Sequence, residues 1–184
     1  MTIFFTSDHH FWHSAIIHHT ERPFSSVEEM NDAMIFNWNS VVRNGDIVYH
    51  LGDFALCGPS KAIDILKTLN GFIRLIPGGH DKRWLTPRVR VEREGLLVVE
   101  PSLVTKKFSG HYITLCHYPL ASWEKSHYGA MHLHGHSHGT MGLWANSSDK
   151  LFAPGEGPGA RVDVSVECWD FQPVSLERLL AEWG

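Results

Sequence analysis

Five short blocks of this chain carry carboxylates and imidazoles at close spacing: Asp8-His9-His10, Gly52-Asp53, Gly79-His80-Asp81, His117, and Gly135-His136-Ser137-His138. Asp and His offer oxygen and imidazole nitrogen to a metal ion, and the absence of thiolate from these blocks suits Mn, Fe, Ni or Zn. Two such ions about 3.5–4 Å apart polarise a phosphoryl oxygen, acidify a bound water and clamp attacking and leaving oxygens. A carboxylate shared between them holds them that close, and Asp53 is the candidate for the bridge. All 14 histidines lie inside the chain, which excludes a terminal tag. Because histidine is the commonest metal ligand, the excess points to a site.

Such a centre needs scaffolding that brings residues 8 to 138 to one place. Residues 2–7 read as a strand. Ser26 and Glu29 form a capping box before a helix over 27–42, whose Val27, Met30, Met34, Trp38 and Val41 share one face, and Asn44-Gly45 ends it. Residues 47–51 read as a second strand. Ser60 opens a helix with Ile63, Leu66 and Leu69 toward the core, and residues 72–76 form a third strand. The alternation of strand and helix predicts parallel pairing through crossovers. Beyond residue 96 the chain breaks into short strand-like pieces at 96–100, 102–108, 111–116, 131–134 and 161–166, and Ser175 caps a closing helix to about Glu182. Each ligand block follows the carboxyl end of a strand, the edge at which ligands bind in an open α/β sheet. The stretch from Gly139 to Ala160, rich in Gly, Ser, Asn and Pro, reads as a surface loop of lid length.

Composition bounds the rest. A length of 184 residues suits one compact domain. The net charge of −4 carries no basic footprint, so nucleic acid is not the expected main partner. Cys57, Cys116 and Cys168 lack CxxC spacing and read as small buried apolar residues. With no signal-like amino terminus and no membrane-length apolar run, the expected location is the cytoplasm, away from membranes.

Taken together, the blocks resemble the signature blocks of the calcineurin-like metallophosphoesterase superfamily. SDHHFWHSAII, ERPF at 21–24, VYHLGDF at 48–54 and the closing VDVSVECWDFQPVSLE resemble its small bacterial and phage-type branch. The resemblance spans nearly the whole chain. It implies an α/β fold, an αββα sandwich of two mixed sheets flanked by helices. It also implies two divalent transition-metal ions, one on Asp8, His10, Asp53 and His138, the other on Asp53, His117 and His136. His80 would protonate the leaving oxygen with Asp81 orienting its ring, and hydroxide between the metals would attack phosphorus in line. The family's third block carries Asn where this chain has Gly79, which predicts a weakened second metal site. His13, Arg22 and Gly79 are candidate substrate contacts; His9 and His134 are candidates for backing up the ligands. The expected activity is hydrolysis of a phosphomonoester or phosphodiester, in a small molecule or nucleotide. A metal-binding scaffold without turnover and a single-strand nuclease guided by the 139–161 loop stand as alternatives. Substrate, metal identity and oligomeric state are not encoded in any recognisable motif.

Overall fold

The structure is a computed structural model that describes residues 1–86, 97–141 and 159–183. Most of the long loop read at 139–160 therefore lies outside the described residues.

Strands β1 (Ile3–Thr6), β2 (Ile47–His50), β3 (Phe72–Leu75) and β4 (Leu97–Val99) run parallel, in the order β4-β3-β2-β1. Helices α1 (Ser14–His19), α2 (Val27–Val41) and α3 (Pro59–Thr68) come between the first three strands. A two-residue strand, β9 (Val174–Ser175), adds antiparallel to β1 at the far edge. The second sheet has the order β5-β6-β7-β8, built from Leu103–Phe108, His111–Cys116, Met131–His134 and Arg161–Asp163. In it β5 and β6 form an antiparallel hairpin, and β6, β7 and β8 are parallel. Two mixed sheets flanked by helices are thus the architecture expected from the αββα reading.

Strand periodicity explains the layers. Successive side chains of a strand face opposite sides. Phe4 and Val48 pack with Met30, Met34, Trp38 and Ala62 under the helices, whereas their neighbours Phe5 and Tyr49 pack with Ile113, Leu115, Leu133 and Val162 between the sheets. Burying each large side chain of this kind stabilises the fold by roughly 1.5–3 kcal/mol. Helix α4 (Leu176–Trp183) closes the inter-sheet core with Leu179 and Trp183. On the second sheet, Trp123 lies against His132 of β7 at a ring distance of 5.4 Å.

Local signals placed most boundaries well. Ser26 accepts the Glu29 N–H as the cap of α2, although the Glu29 carboxylate reaches back to Ser25 rather than to Ser26. Trp38 donates its indole N–H to the Asn70 carbonyl at 2.9 Å, which ties α2 to the turn entering β3. Helix α3 departs from expectation at its start: Gly58 is its N-cap and Pro59 its first residue, so Ser60 is already inside; Leu66 and Leu69 are buried and Ile63 packs against the core as expected, with Ala62 and Ile65 buried beside them. Proline suits that first position because its missing N–H would have no helical partner there. Strand β8 stops at Asp163, earlier than the expected residue 166, because the chain turns into a 3-10 helix over Val166–Trp169. The short α1 and β9 carry too little pattern to be read from sequence.

Candidate metal centre

At the carboxyl ends of both sheets, the described residues contain three groups that could hold a metal ion: Asp8/His10/His138, His10/Asp53/His80 and Asp53/His117/His136, each with ligand atoms within 4.8 Å of one another. All six residues read as ligands fall in these groups, and so does His80. Asp8 and His10 follow β1, Asp53 follows β2, His117 follows β6, and His136 and His138 follow β7.

The backbone is bent to aim these side chains. Asp8 (φ 58°), His10 (φ 51°), Asp53 (φ 54°), His136 (φ 68°) and His138 (φ 47°) all occupy the left-handed region. Non-glycine residues adopt it at a cost that the surrounding structure must offset, and such strain gathers at functional sites. Two glycines allow the close approach that follows. A Cβ on Gly135 would lie 2.2 Å from Asp8 Oδ2, and one on Gly78 would lie 2.3 Å from Asp53 Oδ1.

Hydrogen bonds at Nδ1 turn Nε2 inward on three histidines. His117 donates its Nδ1–H to the Leu51 carbonyl at 2.7 Å, leaving Nε2 3.4 Å from Asp53 Oδ2. His138 donates its Nδ1–H to Glu167 at 2.9 Å, with Nε2 3.8 Å from Asp8 Oδ1. His10 shares Nδ1 with His13 at 3.1 Å, and its Nε2 lies 3.7 Å from both Asp8 Oδ1 and Asp53 Oδ2. A second partner that fixes the tautomer in this way is the usual support of a metal-binding imidazole. The gaps of 3.4–3.8 Å exceed hydrogen-bond length. Asp8 Oδ1, His10 Nε2 and His117 Nε2 are accordingly buried without a hydrogen-bond partner. Buried polar atoms are rarely left so; a cation on the Asp8/His10/His138 group would satisfy the first two and one on the Asp53/His117/His136 group the third.

Electrostatics agree with that fit. Burial opposes ionisation of Asp8, yet His10, His117 and His138 outweigh it and hold its carboxyl well below the usual range. Burial likewise opposes charge on His117, but the Asp53 and Asp8 carboxylates beside it raise its ring to about 9. The metal-free protein thus keeps a proton where a cation would bind, and metal binding displaces it. Burial, joined by the nearby His10 and His80, lowers His13 to about 4. At neutral pH His13 is therefore a neutral ring.

Two sequence assignments need correction. Arg22 does not face the opening. It is buried, donating to the Asp8 carbonyl at 2.7 Å, to the His9 carbonyl at 2.9 Å and to Glu167 at 2.6 Å, so it braces the strained 8–10 segment from behind. Asp81 does not orient the His80 ring. Its Oδ2 accepts the N–H groups of Asp53 and Gly78, and its Oδ1 accepts those of Phe54 and the Trp84 indole, at 2.8–2.9 Å. Four donors fill the carboxylate's capacity, leaving nothing for the imidazole. Burial pushes the Asp81 carboxyl up, and the donors counter it in favour of the ionised form.

Three supporting residues escaped the sequence reading. Asp163, fully buried, accepts Ser137 Oγ–H and Gly139 N–H on one oxygen and the Ser165 N–H on the other, and so shapes the 135–139 loop as Asp81 shapes 52–54. Glu167 links Arg22 to His138, and Tyr118 lies against His117 and His136. Their only sequence signal was position, Tyr118 beside His117 and the other two within the closing VDVSVECWD. His9 is one step removed from the ligands: its Nδ1 meets His50 Nε2 at 3.0 Å, and His50 Nδ1 accepts the Gly52 N–H. Burial keeps both rings neutral, His9 well below its ordinary range and His50 at about 3. His134 donates to the Gly135 carbonyl.

Glu167→Gln is expected to weaken metal affinity about 10- to 100-fold, because His138 loses the carboxylate that holds its ring and raises its basicity. Manganese titration by calorimetry measures it; unchanged affinity would mean that the pair is incidental to the ligands.

No family model matches the chain. The chain is 39% identical over 181 residues to the uncharacterized protein MJ1445 of Methanocaldococcus jannaschii, covering 97% of this chain and 89% of that protein. It belongs to the MJ1445 family. A solved structure of AQ665, a protein of unknown function from Aquifex aeolicus, superimposes on this MJ1445-family chain with a TM-score of 0.69 at 23% identity, covering 98% of each, and so shares the fold. Yfce, a phosphoesterase from E. coli, overlaps at a TM-score of 0.43 and 18% identity, over 89% of this chain and 78% of that one, too loosely to bear on the argument. No helix among the described residues is long and apolar enough to cross a membrane.

Proposed function

We infer that the protein is a metal-dependent phosphoesterase that hydrolyses a phosphomonoester or phosphodiester of a small molecule or nucleotide. The observation that carries the reading is the set of buried, unpartnered atoms Asp8 Oδ1, His10 Nε2 and His117 Nε2 in the ligand groups at the strand ends, with both imidazole nitrogens within 3.7 Å of Asp53 Oδ2. The block resemblance to calcineurin-like metallophosphoesterases supports the phosphoryl chemistry. Two divalent cations of the Mn, Fe, Ni or Zn class, when bound, would supply Lewis acidity and an acidified water.

The chain's own residues do the rest. Asp8, His10 and His138 would hold one cation, and Asp53, His117 and His136 the other. Asp53 gives Oδ1 to the His80 N–H at 2.9 Å and so keeps Oδ2 toward both groups. His80, its side chain 44% exposed, is at the opening, where an imidazole can give a proton to the departing ester oxygen. His80 Nε2 also lies 3.8 Å from Asp53 Oδ2, which favours a second reading of this residue as a metal ligand.

The test is hydrolysis of p-nitrophenyl phosphate and bis-p-nitrophenyl phosphate with added Mn, Ni or Zn, comparing the wild type with His80→Ala. Metal-dependent turnover is expected, with kcat in His80→Ala lower by about 10²-fold or more and Mn affinity unchanged. A Mn affinity that falls in parallel would make His80 a ligand. No turnover of either ester would leave a metal-binding scaffold.

A further inference from the structure

Tyr118 has a place in the site and no task in the chemistry above. Its ring stands edge-on to His117 at 4.8 Å and to His136 at 4.7 Å, the two imidazoles of the Asp53/His117/His136 group. Yet 47% of the residue is exposed, so the ring is held against the group's wall while part of it faces solvent. Its hydroxyl marks where that solvent-facing end points. A Cβ added to Gly79 would lie 3.4 Å from the Tyr118 hydroxyl oxygen. The phenol therefore reaches from the His117–His136 wall to the backbone corner before His80, whose ring is at the opening 3.8 Å from Asp53. Gly79, exposed and without a side chain, leaves open the space beside the phenol.

The chemistry of this placement is specific. A tyrosine hydroxyl donates one hydrogen bond, and a phenol ring braced by two neighbours holds that donor in place at small entropic cost. A neutral phenol is a weak cation ligand and a good donor to an anion's oxygen. We propose that Tyr118 is a substrate-binding residue: its hydroxyl donates to a non-reacting oxygen of the phosphate group bound over Asp53, His117 and His136, in the space that Gly79 leaves open. The proposal rests on the phosphoesterase reading for its ligand, a tetrahedral phosphate oxyanion.

Inorganic phosphate is the probe, titrated calorimetrically into the Mn-loaded protein, wild type and Tyr118→Phe. Removing a donor to a charged oxygen is expected to weaken phosphate binding about tenfold or more, with Mn affinity and thermal midpoint unchanged. In the hydrolysis assay KM should rise in the same variant. Equal phosphate affinity in the two forms overturns the proposal, as does the absence of phosphate binding by the Mn-loaded wild type. A parallel fall in Mn affinity also overturns it, because Tyr118 would then be acting through the packing of His117 and His136. Tyr118-dependent phosphate binding without turnover of either nitrophenyl ester would uphold the contact and remove the hydrolase reading; turnover with unchanged phosphate binding in Tyr118→Phe would do the reverse.

Discussion

Asp53→Asn is expected to abolish cation binding at the Asp53/His117/His136 group and to lower metal-dependent hydrolysis by about 10³- to 10⁴-fold, the equivalent of roughly 5 kcal/mol of transition-state stabilisation. The substitution keeps size and shape, so the effect comes from which atom faces inward. Asp53 Oδ1 accepts the His80 N–H at 2.9 Å, and only the amide oxygen of Asn can take that place. The amide NH2 then occupies the position of Oδ2, which lies 3.4 Å from His117 Nε2 and 3.7 Å from His10 Nε2. A donor with no lone pair replaces a charged oxygen that lies between His10 of one group and His117 of the other. The backbone of Asp53 is tied separately, through its N–H to Asp81 at 2.8 Å, so the fold should survive. Calorimetric Mn titration and the nitrophenyl assays check the two losses, and a preserved thermal midpoint checks the fold. Wild-type turnover in this variant would remove Asp53 from the chemistry.

Asp81→Ala is expected to act on stability, and in the metal-free protein. Truncation strands the N–H groups of Asp53, Phe54 and Gly78 and the Trp84 indole N–H around a site that is fully buried. Buried donors without partners cost about 1–3 kcal/mol each when water cannot reach them, and breaking a buried charged network costs about 3–5 kcal/mol in all. For a chain of this size a loss of that order lowers the thermal midpoint by roughly 10 °C. Urea unfolding in the presence of a chelator separates this from any change in metal binding. If Asp81 instead served the His80 ring, the midpoint would stay in place and only turnover would fall.

The two variants mark the boundary between what was legible in the chain and what was not. Residue type and local spacing were enough for the identities of the candidate ligands and for their position just past strand ends. Period-2 and helical patterns are written into neighbouring residues, and caps such as Ser26 act over three positions. The parallel first half, with its helical crossovers, followed from the same local rules. The second sheet came from resemblance, because its strand pieces are legible in the chain but which sheet each one joins is not a local property.

Only the tertiary structure decided where each side chain points. Arg22 reads in sequence as a loop arginine, able to meet a phosphate or simply solvated, and nothing nearby announces its partner Glu167, 145 positions away. Asp81 looked like a partner of the adjacent His80, yet its four donors come from two separate backbone stretches and an indole. The left-handed backbone of Asp8, His10, Asp53, His136 and His138 has no sequence signal either, since residues other than glycine enter that region only when surrounding contacts hold them there. Composition and spacing thus determined that this chain carries a candidate metal-ligand set at its strand ends. The convergence of two sheets, braced by Asp81, Asp163, Glu167 and Arg22, decided which atoms of that set face one another, because orientation depends on long-range contacts that no local pattern records.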